Sequence, residues 1–277
     1  MTAVFNAMID QIQTRTLSIT SGKGGVGKTT LTVNLALTLA EMGKKVLILD
    51  GDIGLANVDI FLGIRPQRTL ADFFEHGVPL KEILIKVSKN LHVIPSASGL
   101  IDLKNIDVYK RKMLMDEVSM LNNTYDYFLV DTASGIDENV QYLNSTVQDV
   151  LVVMTPEPAS MADAYALIKL LNKNKKVTRF SVIANKVLGE KEARDIFKRV
   201  NSVADRFLNL QLNFLGYMPF DPKLRHSTTG AAAALARPSA ASSIALKRVV
   251  EALETEQEVG EMRGSLQFFW NQLLHVA

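Results

Sequence analysis

The run Gly22-Lys23-Gly24-Gly25-Val26-Gly27-Lys28-Thr29, followed by Thr30, satisfies the pattern G-x-x-x-x-G-K-[ST]. Glycines at 22, 24, 25 and 27 let the backbone curl with its N–H groups inward. A helix opening near Lys28 adds positive potential, so main chain from Gly22 through Val26 to Thr30 can hold a polyphosphate. Lys28 is then placed to neutralise the β and γ phosphates, and the Thr29 hydroxyl to ligate Mg²⁺. Carboxylates stand at two further places. Asp50-Gly51-Asp52 ends one short apolar run, and Asp131 ends another, Tyr127-Phe128-Leu129-Val130. Asp131 is expected to hold Mg²⁺ through a water, because Mg²⁺ gives up its water shell reluctantly; Asp50 is a second station for the metal.

These residues need a scaffold that brings strand ends together. Short apolar runs alternate with amphipathic stretches, the pattern of a parallel sheet covered by helices on both faces. The expected strands are Leu17 to Thr20, Lys45 to Asp50, Leu91 to Ile94, Tyr127 to Asp131, Asp149 to Thr155, Arg179 to Asn185 and Asn213 to Tyr217. Most end in a polar residue, and in open α/β sheets ligands collect beyond the carboxyl ends of the strands. Leu31, Leu35, Leu39 and Met42, and likewise Met161, Ala164, Tyr165, Ile168 and Leu171, recur at helical spacing and predict buried stripes. The fold class is therefore α/β, a doubly wound and mainly parallel sheet in a single domain, with terminal helices. The alanine-rich segment from Gly230 to Ser243 fits a helix, a loop or an alanine replacement equally well.

Composition narrows the chemistry. The 277 residues are 47% apolar and 22% charged, with no cysteine and a net charge of +2 from 31 basic and 29 acidic side chains. No thiolate metal site, iron–sulfur cluster or cysteine nucleophile can be built. The near-even charge balance argues against a nucleic-acid surface, which usually carries a basic excess. Residues 1 to 15 include Asp10 and no long apolar core, so they do not resemble a secretory signal, and no run approaches the ~20 apolar residues that span a bilayer. A cytoplasmic protein is the expectation.

Lys23 is the distinctive residue of the loop. Lys-Gly-Gly-x-Gly-Lys-Thr is similar to the deviant Walker A signature of the MinD/ParA branch of P-loop ATPases, and the resemblance covers about residues 16 to 255. It implies a P-loop NTPase fold, ATP and Mg²⁺ as ligands, and an ATP-dependent homodimer in which Lys23 reaches the nucleotide of the other subunit, as an arginine finger does elsewhere. It further implies that Asp52 orients the attacking water and that Asp50 supports the switch. Asn185 would lie against the adenine, with Pro219 and Asp221 closing the base pocket. Asp52-Ile-Gly-Leu-Ala-Asn-Val-Asp59, Val130-Asp131-Thr-Ala-Ser-Gly-Ile136 and Thr155-Pro-Glu-Pro-Ala-Ser-Met-Ala-Asp-Ala-Tyr-Ala-Leu-Ile-Lys169 resemble more narrowly the FlhG (FleN, YlxH) family of MinD-like ATPases that control flagellar number and placement. The block from Asp163 to Lys169 is the most discriminating.

The termini carry expectations of their own. FlhG proteins often start with a segment that activates the GTPase FlhF; here Asp10 and Gln11 match part of its motif, while residues 1 to 15 could instead dock Val4, Met8 and Ile12 on the domain. Leu266, Phe269, Trp270, Leu273 and Leu274 share one face of a helix from Gly264, about 21 Å long, suited to lying in a membrane interface or to packing on the domain. The segment 256–277 is thus read as membrane-targeting or docking, and the protein as reversibly associated with the inner face of the cell membrane. Flagellar C-ring proteins or a flagellar transcription activator are further candidate partners. The rival readings are a DNA-partitioning ATPase of the ParA type and a nucleotide-gated binding regulator of that activator.

Overall fold

The computed structural model describes residues 14–52, 56–96, 108–121, 124–222 and 239–259. In chain order these form β1 (Arg15–Ser21), α1 (Lys28–Glu41), β2 (Val46–Gly51), α2 (Val58–Leu62), α3 (Leu70–His76), α4 (Leu80–Ile83), β3 (Ile85–Lys86), β4 (Leu91–Ile94) and α5 (Val108–Ser119). There follow β5 (Tyr127–Ser134), α6 (Glu138–Ser145), β6 (Asp149–Met154), α7 (Pro158–Lys175), β7 (Phe180–Val187), α8 (Glu190–Leu208), β8 (Asn213–Pro219) and α9 (Ala241–Val259). The strands make one sheet in the order β3-β4-β2-β5-β1-β6-β7-β8. Every pairing is parallel except β3 with β4. All seven expected strands are present. Two-residue β3 escaped notice because so short an edge strand has no alternation to read.

Alternation along the strands splits the interior in two. Leu17 and Ile19 of β1, Val46 and Ile48 of β2 and Leu129 of β5 pack with α1 and α9 on one face. On the other face Val150 and Val152 meet α7 and α8, while Leu47, Leu49 and Phe128 meet α3 and α5. Leu31, Leu35 and Leu39 are buried as their spacing predicts, but Met42 is 51% exposed. α1 stops at Glu41, and the chain turns away through Gly43, whose φ of 88° is in the left-handed region. The stripe of α7 holds, with Ala164, Ile168 and Leu171 buried and Met161 and Tyr165 packed at its margin.

Polar side chains knit the centre of the sheet. The Ser18 hydroxyl donates to Asn144 Oδ1 at 2.7 Å, and Asn144 Nδ2 donates to Thr20 Oγ1 at 3.1 Å, which seats α6 on β1. At the opposite pole from the loop, Asp149 accepts from Arg15 Nε at 3.0 Å and from Arg179 Nε at 2.8 Å. Arg15, read from sequence as the end of a leading segment, is the first residue of β1, and it also donates to the Leu253 carbonyl of α9 at 2.5 Å. Removing one member of a buried pair strands the other charge. Asp149→Ala should therefore destabilise the fold by about 3 kcal/mol in urea denaturation; a loss within the ~0.5 kcal/mol of ordinary surface substitutions would show that Arg15 is adequately satisfied without it.

α9 contains the end of the alanine-rich segment: Ala241, Ser242 and Ser243 form its first turn, while 230–238 lie outside the described residues. Asp10, Gln11 and the whole run 264–277 also lie outside them. No helix among the described residues is long and apolar enough to cross a membrane.

Candidate active site

The P-loop motif joins β1 to α1 at the carboxyl edge of the sheet, beside the ends of β2 and β5. Gly27 sits at the helix N-cap with φ 99°. Gly22 is required for a different reason: a Cβ there would lie 2.2 Å from the Asp163 carbonyl of α7. The Thr155 to Lys169 block thus presses its second helical turn against the loop. Pro158 at the start of α7 suits a first-turn position, where no N–H is needed.

Lys28, Thr29, Asp50, Asp52 and Asp131 converge. Asp50 and Asp131 are paired across β2 and β5. The Thr29 hydroxyl donates to Asp131 Oδ2 at 2.7 Å, and Thr32, one turn further along α1, donates to Oδ1 at 2.8 Å. Asp50 Oδ2 accepts from the N–H groups of Asn57 and Val58 at 3.0 and 3.1 Å, and Oδ1 from that of Asp52 at 3.1 Å. Both Asp50 oxygens are thereby engaged in shaping the loop between β2 and α2. With three N–H groups bound, Asp50 acts here as an anchor of that loop. Residues 53–55 of that loop are outside the described residues.

The electrostatics follow from burial. Asp131 is 1% exposed and Lys28 8%. Burial pushes the Asp131 carboxyl up to about 6, against the pull of the Thr29 and Thr32 hydroxyls and Lys28. Burial, helped by the neighbouring Asp131, pushes Asp50 up to about 7. Burial also raises Asp52, with Lys28 opposing. Lys28 is lowered by burial, with Asp131 and Asp52 opposing. A carboxyl whose folded pKa exceeds its ordinary value keeps protons that the unfolded chain releases. Asp50 and Asp131 therefore weaken the fold as pH rises from about 4 through 7. The pocket holds more negative charge than it can comfortably keep. A cation answers that need.

The donor chemistry suits Mg²⁺. No group of three or more His, Cys, Asp or Glu forms a metal cluster among the described residues. Mg²⁺ does not need one: it is commonly held by one or two carboxylates plus the phosphates of a substrate. The Thr29 hydroxyl, whose proton goes to Asp131 Oδ2, keeps a lone pair for such an ion, and Asp131 stands one hydrogen bond further out, where a bound water could reach it.

Lys23 behaves unlike Lys28. Its side chain is 39% exposed and is paired with the carboxylate of Glu157, the N-cap residue of α7. That pairing holds Glu157 below the usual carboxylate range. From β7, Asn185 and Lys186 reach back to the loop, the Asn185 amide donating to the Val26 carbonyl at 2.7 Å and the Lys186 ammonium to the Gly25 carbonyl at 2.7 Å. Pro219 ends β8. Asp221 accepts from the Ser242 hydroxyl at 2.8 Å, which ties the end of the sheet to the first turn of α9. Glu157, Lys186 and Thr32 were missed from sequence. Thr32 was within reach, because a hydroxyl three residues after Thr29 shares its helix face.

Comparison with known proteins agrees with this architecture. The ParA family model, described as NUBPL iron-transfer P-loop NTPase, matches residues 12–254. Antiactivator FleN of Pseudomonas aeruginosa is 39% identical over 259 residues, 93% of this chain and 92% of that protein. Flagellum site-determining protein YlxH of Helicobacter pylori is 38% identical over 205 residues, 73% of this chain and 69% of that one. Among solved structures, the septum site-determining protein MinD of Pyrococcus horikoshii OT3, complexed with Mg-ADP, superimposes with a TM-score of 0.72 at 25% identity, covering 90% of this chain and all of that one. With its P-loop, its parallel sheet and these relatives, the chain belongs to the ParA/MinD family of P-loop ATPases, in the branch that includes FleN and YlxH.

Proposed function

We propose that this ATPase is a Mg²⁺-dependent dimerisation switch in the control of flagellar number and placement. The observation that carries the reading is the contrast between the two loop lysines. Lys28 is buried among Asp131 and Asp52, whereas Lys23 projects to the surface and is paired, among the described residues, with one exposed carboxylate, that of Glu157. A lysine so placed is free to change partners when a second copy docks, and the charge on that copy's nucleotide is the stronger attraction.

In this reading Lys28 and the main chain from Gly22 to Thr30 bind the triphosphate, and Thr29 with Asp131 holds Mg²⁺, the latter through a water. The ion neutralises phosphate charge when bound. Water oriented by Asp52 attacks the γ-phosphorus, the bond to the bridging oxygen breaks, and ADP and phosphate leave. Lys23 of the second copy offsets charge on the transferring group. The Mg-ADP bound by the Pyrococcus horikoshii relative supports the choice of ligand. Iron transfer is not carried over, since the chain has no cysteine.

The FleN and YlxH relatives support the flagellar role. Residues 264–277 would meet the membrane by the apolar face of Leu266, Phe269, Trp270, Leu273 and Leu274, and Asp10 and Gln11 would engage an FlhF-type GTPase. Light scattering should give a dimer with ATP and a monomer with ADP. In the same ATP state, liposomes should sediment the full chain and not one ending at Arg263, and a peptide of residues 1–15 should stimulate FlhF. A monomer in both nucleotides would overturn the switch. ATP-dependent liposome binding by the shortened chain, or no stimulation by the peptide, would remove the corresponding terminal role.

A further inference from the structure

The contacts that Asn185 and Lys186 make with the loop fall on consecutive peptide units. A trans peptide is planar, with its C=O and N–H pointing in opposite directions. The unit that contains the Gly25 carbonyl also contains the Val26 N–H, and the unit with the Val26 carbonyl contains the Gly27 N–H. Drawing both carbonyls toward β7 by 2.7 Å hydrogen bonds therefore aims both N–H groups away from β7. That is the orientation an anion-binding loop needs when its donors are main-chain N–H groups. Among the described residues nothing accepts from the N–H of Val26 or Gly27, although Val26 is only 3% exposed.

The local backbone is built around these contacts. Lys186 has a φ of 59°, uncommon for a residue other than glycine, and Asn185 Oδ1 accepts from the Lys186 N–H at 2.9 Å, bracing that conformation. On the loop side, a Cβ at Gly27 would lie 2.6 Å from Asn185 Nδ2, so the approach requires glycine there as well as in the left-handed turn. An off-pattern conformation held by its surroundings at a ligand site marks a place where preorganisation matters.

We propose that Asn185 and Lys186 are positioning residues for the triphosphate: they hold two consecutive P-loop peptides so that the Val26 and Gly27 N–H groups are aimed before the nucleotide arrives. This rests on the P-loop binding a nucleoside triphosphate and is independent of dimerisation. It gives Asn185 a task other than the adenine contact implied by family resemblance, since its amide nitrogen is bound to the Val26 carbonyl and its Oδ1 to the Lys186 N–H. Loss of an aimed peptide should weaken anything that carries a phosphate chain, whatever its base.

Isothermal titration of the full chain with MgATP, MgGTP and inorganic tripolyphosphate separates the two roles. Asn185→Ala should weaken all three by a common factor of about ten, and Lys186→Ala, whose ammonium is more exposed, by about three. The ratio of ATP to GTP affinity should stay at the unaltered value, and Lys186→Arg should recover most of the loss, which a general loss of stability would not allow. Unaltered tripolyphosphate affinity in both alanine variants would overturn the proposal. So would a shifted ATP-to-GTP ratio in Asn185→Ala with tripolyphosphate binding intact. If ATP fails to dimerise the unaltered chain, the switch falls, and these constants still decide the positioning role.

Discussion

Lys28→Ala is expected to leave a folded chain whose affinity for MgATP is lower by roughly two to three orders of magnitude, the cost of about 3–4 kcal/mol for two charge-assisted phosphate contacts. Lys28 is 8% exposed and burial alone disfavours its charge; Asp131 and Asp52 oppose that effect. Removing the ammonium leaves those carboxylates without their nearest positive partner, so both should take up protons more readily. The vacated space then presents acid to an incoming triphosphate. Titration calorimetry of the variant, with circular dichroism to verify folding, measures the effect. Retention of the unaltered affinity would mean that the main chain of the loop suffices and that Lys28 is a structural lysine.

Asp52→Ala should lower ATP turnover by about 10²–10³-fold, within the range that a positioned acid–base group supplies, while leaving binding nearly unchanged. Asp52 follows β2 and is tethered by its own N–H to Asp50, yet among the described residues no backbone N–H donates to its carboxylate. It is half-buried and its pKa is raised by burial, with Lys28 pulling it down. A carboxylate so positioned is available to a water molecule. Without it ATP should stay intact and the dimer should persist. Phosphate release and light scattering on one sample test both halves together. Ordinary turnover in the variant would assign the water to another group, and a monomer in ATP would break the link between hydrolysis and dissociation. Asp50 makes a useful contrast, because its three accepted N–H bonds hold the chain leading into α2. Its loss should disturb the loop itself.

The strands and the P-loop were legible in the sequence because both are local. A strand buried on both faces is a short apolar run, and Val46 to Leu49, Phe128 to Val130 and Val150 to Met154 are such runs, now buried. Met42 shows where periodicity overshoots: the spacing runs one residue past the helix end at Glu41, where the turn through Gly43 takes the chain away from the core. Asp50 shows a different limit. A carboxylate at a strand end reads equally as metal ligand or loop anchor. The choice depended on which N–H groups folded back toward it, seven and eight residues later.

By itself the sequence determined that this chain has a phosphate loop between strand and helix, carboxylates at neighbouring strand ends and no thiol chemistry. Consecutive glycines, apolar runs and the absence of a residue type need no long-range information. What only the tertiary structure decided is which distant side chains attend the loop. Glu157 meets Lys23 across 134 positions, and Asn185 and Lys186 meet Val26 and Gly25 across 159 and 161. Those meetings follow from the order β1-β6-β7 along the sheet and from α7 closing against Gly22. No local pattern encodes that order, because it is set by how whole strands and helices share one interior.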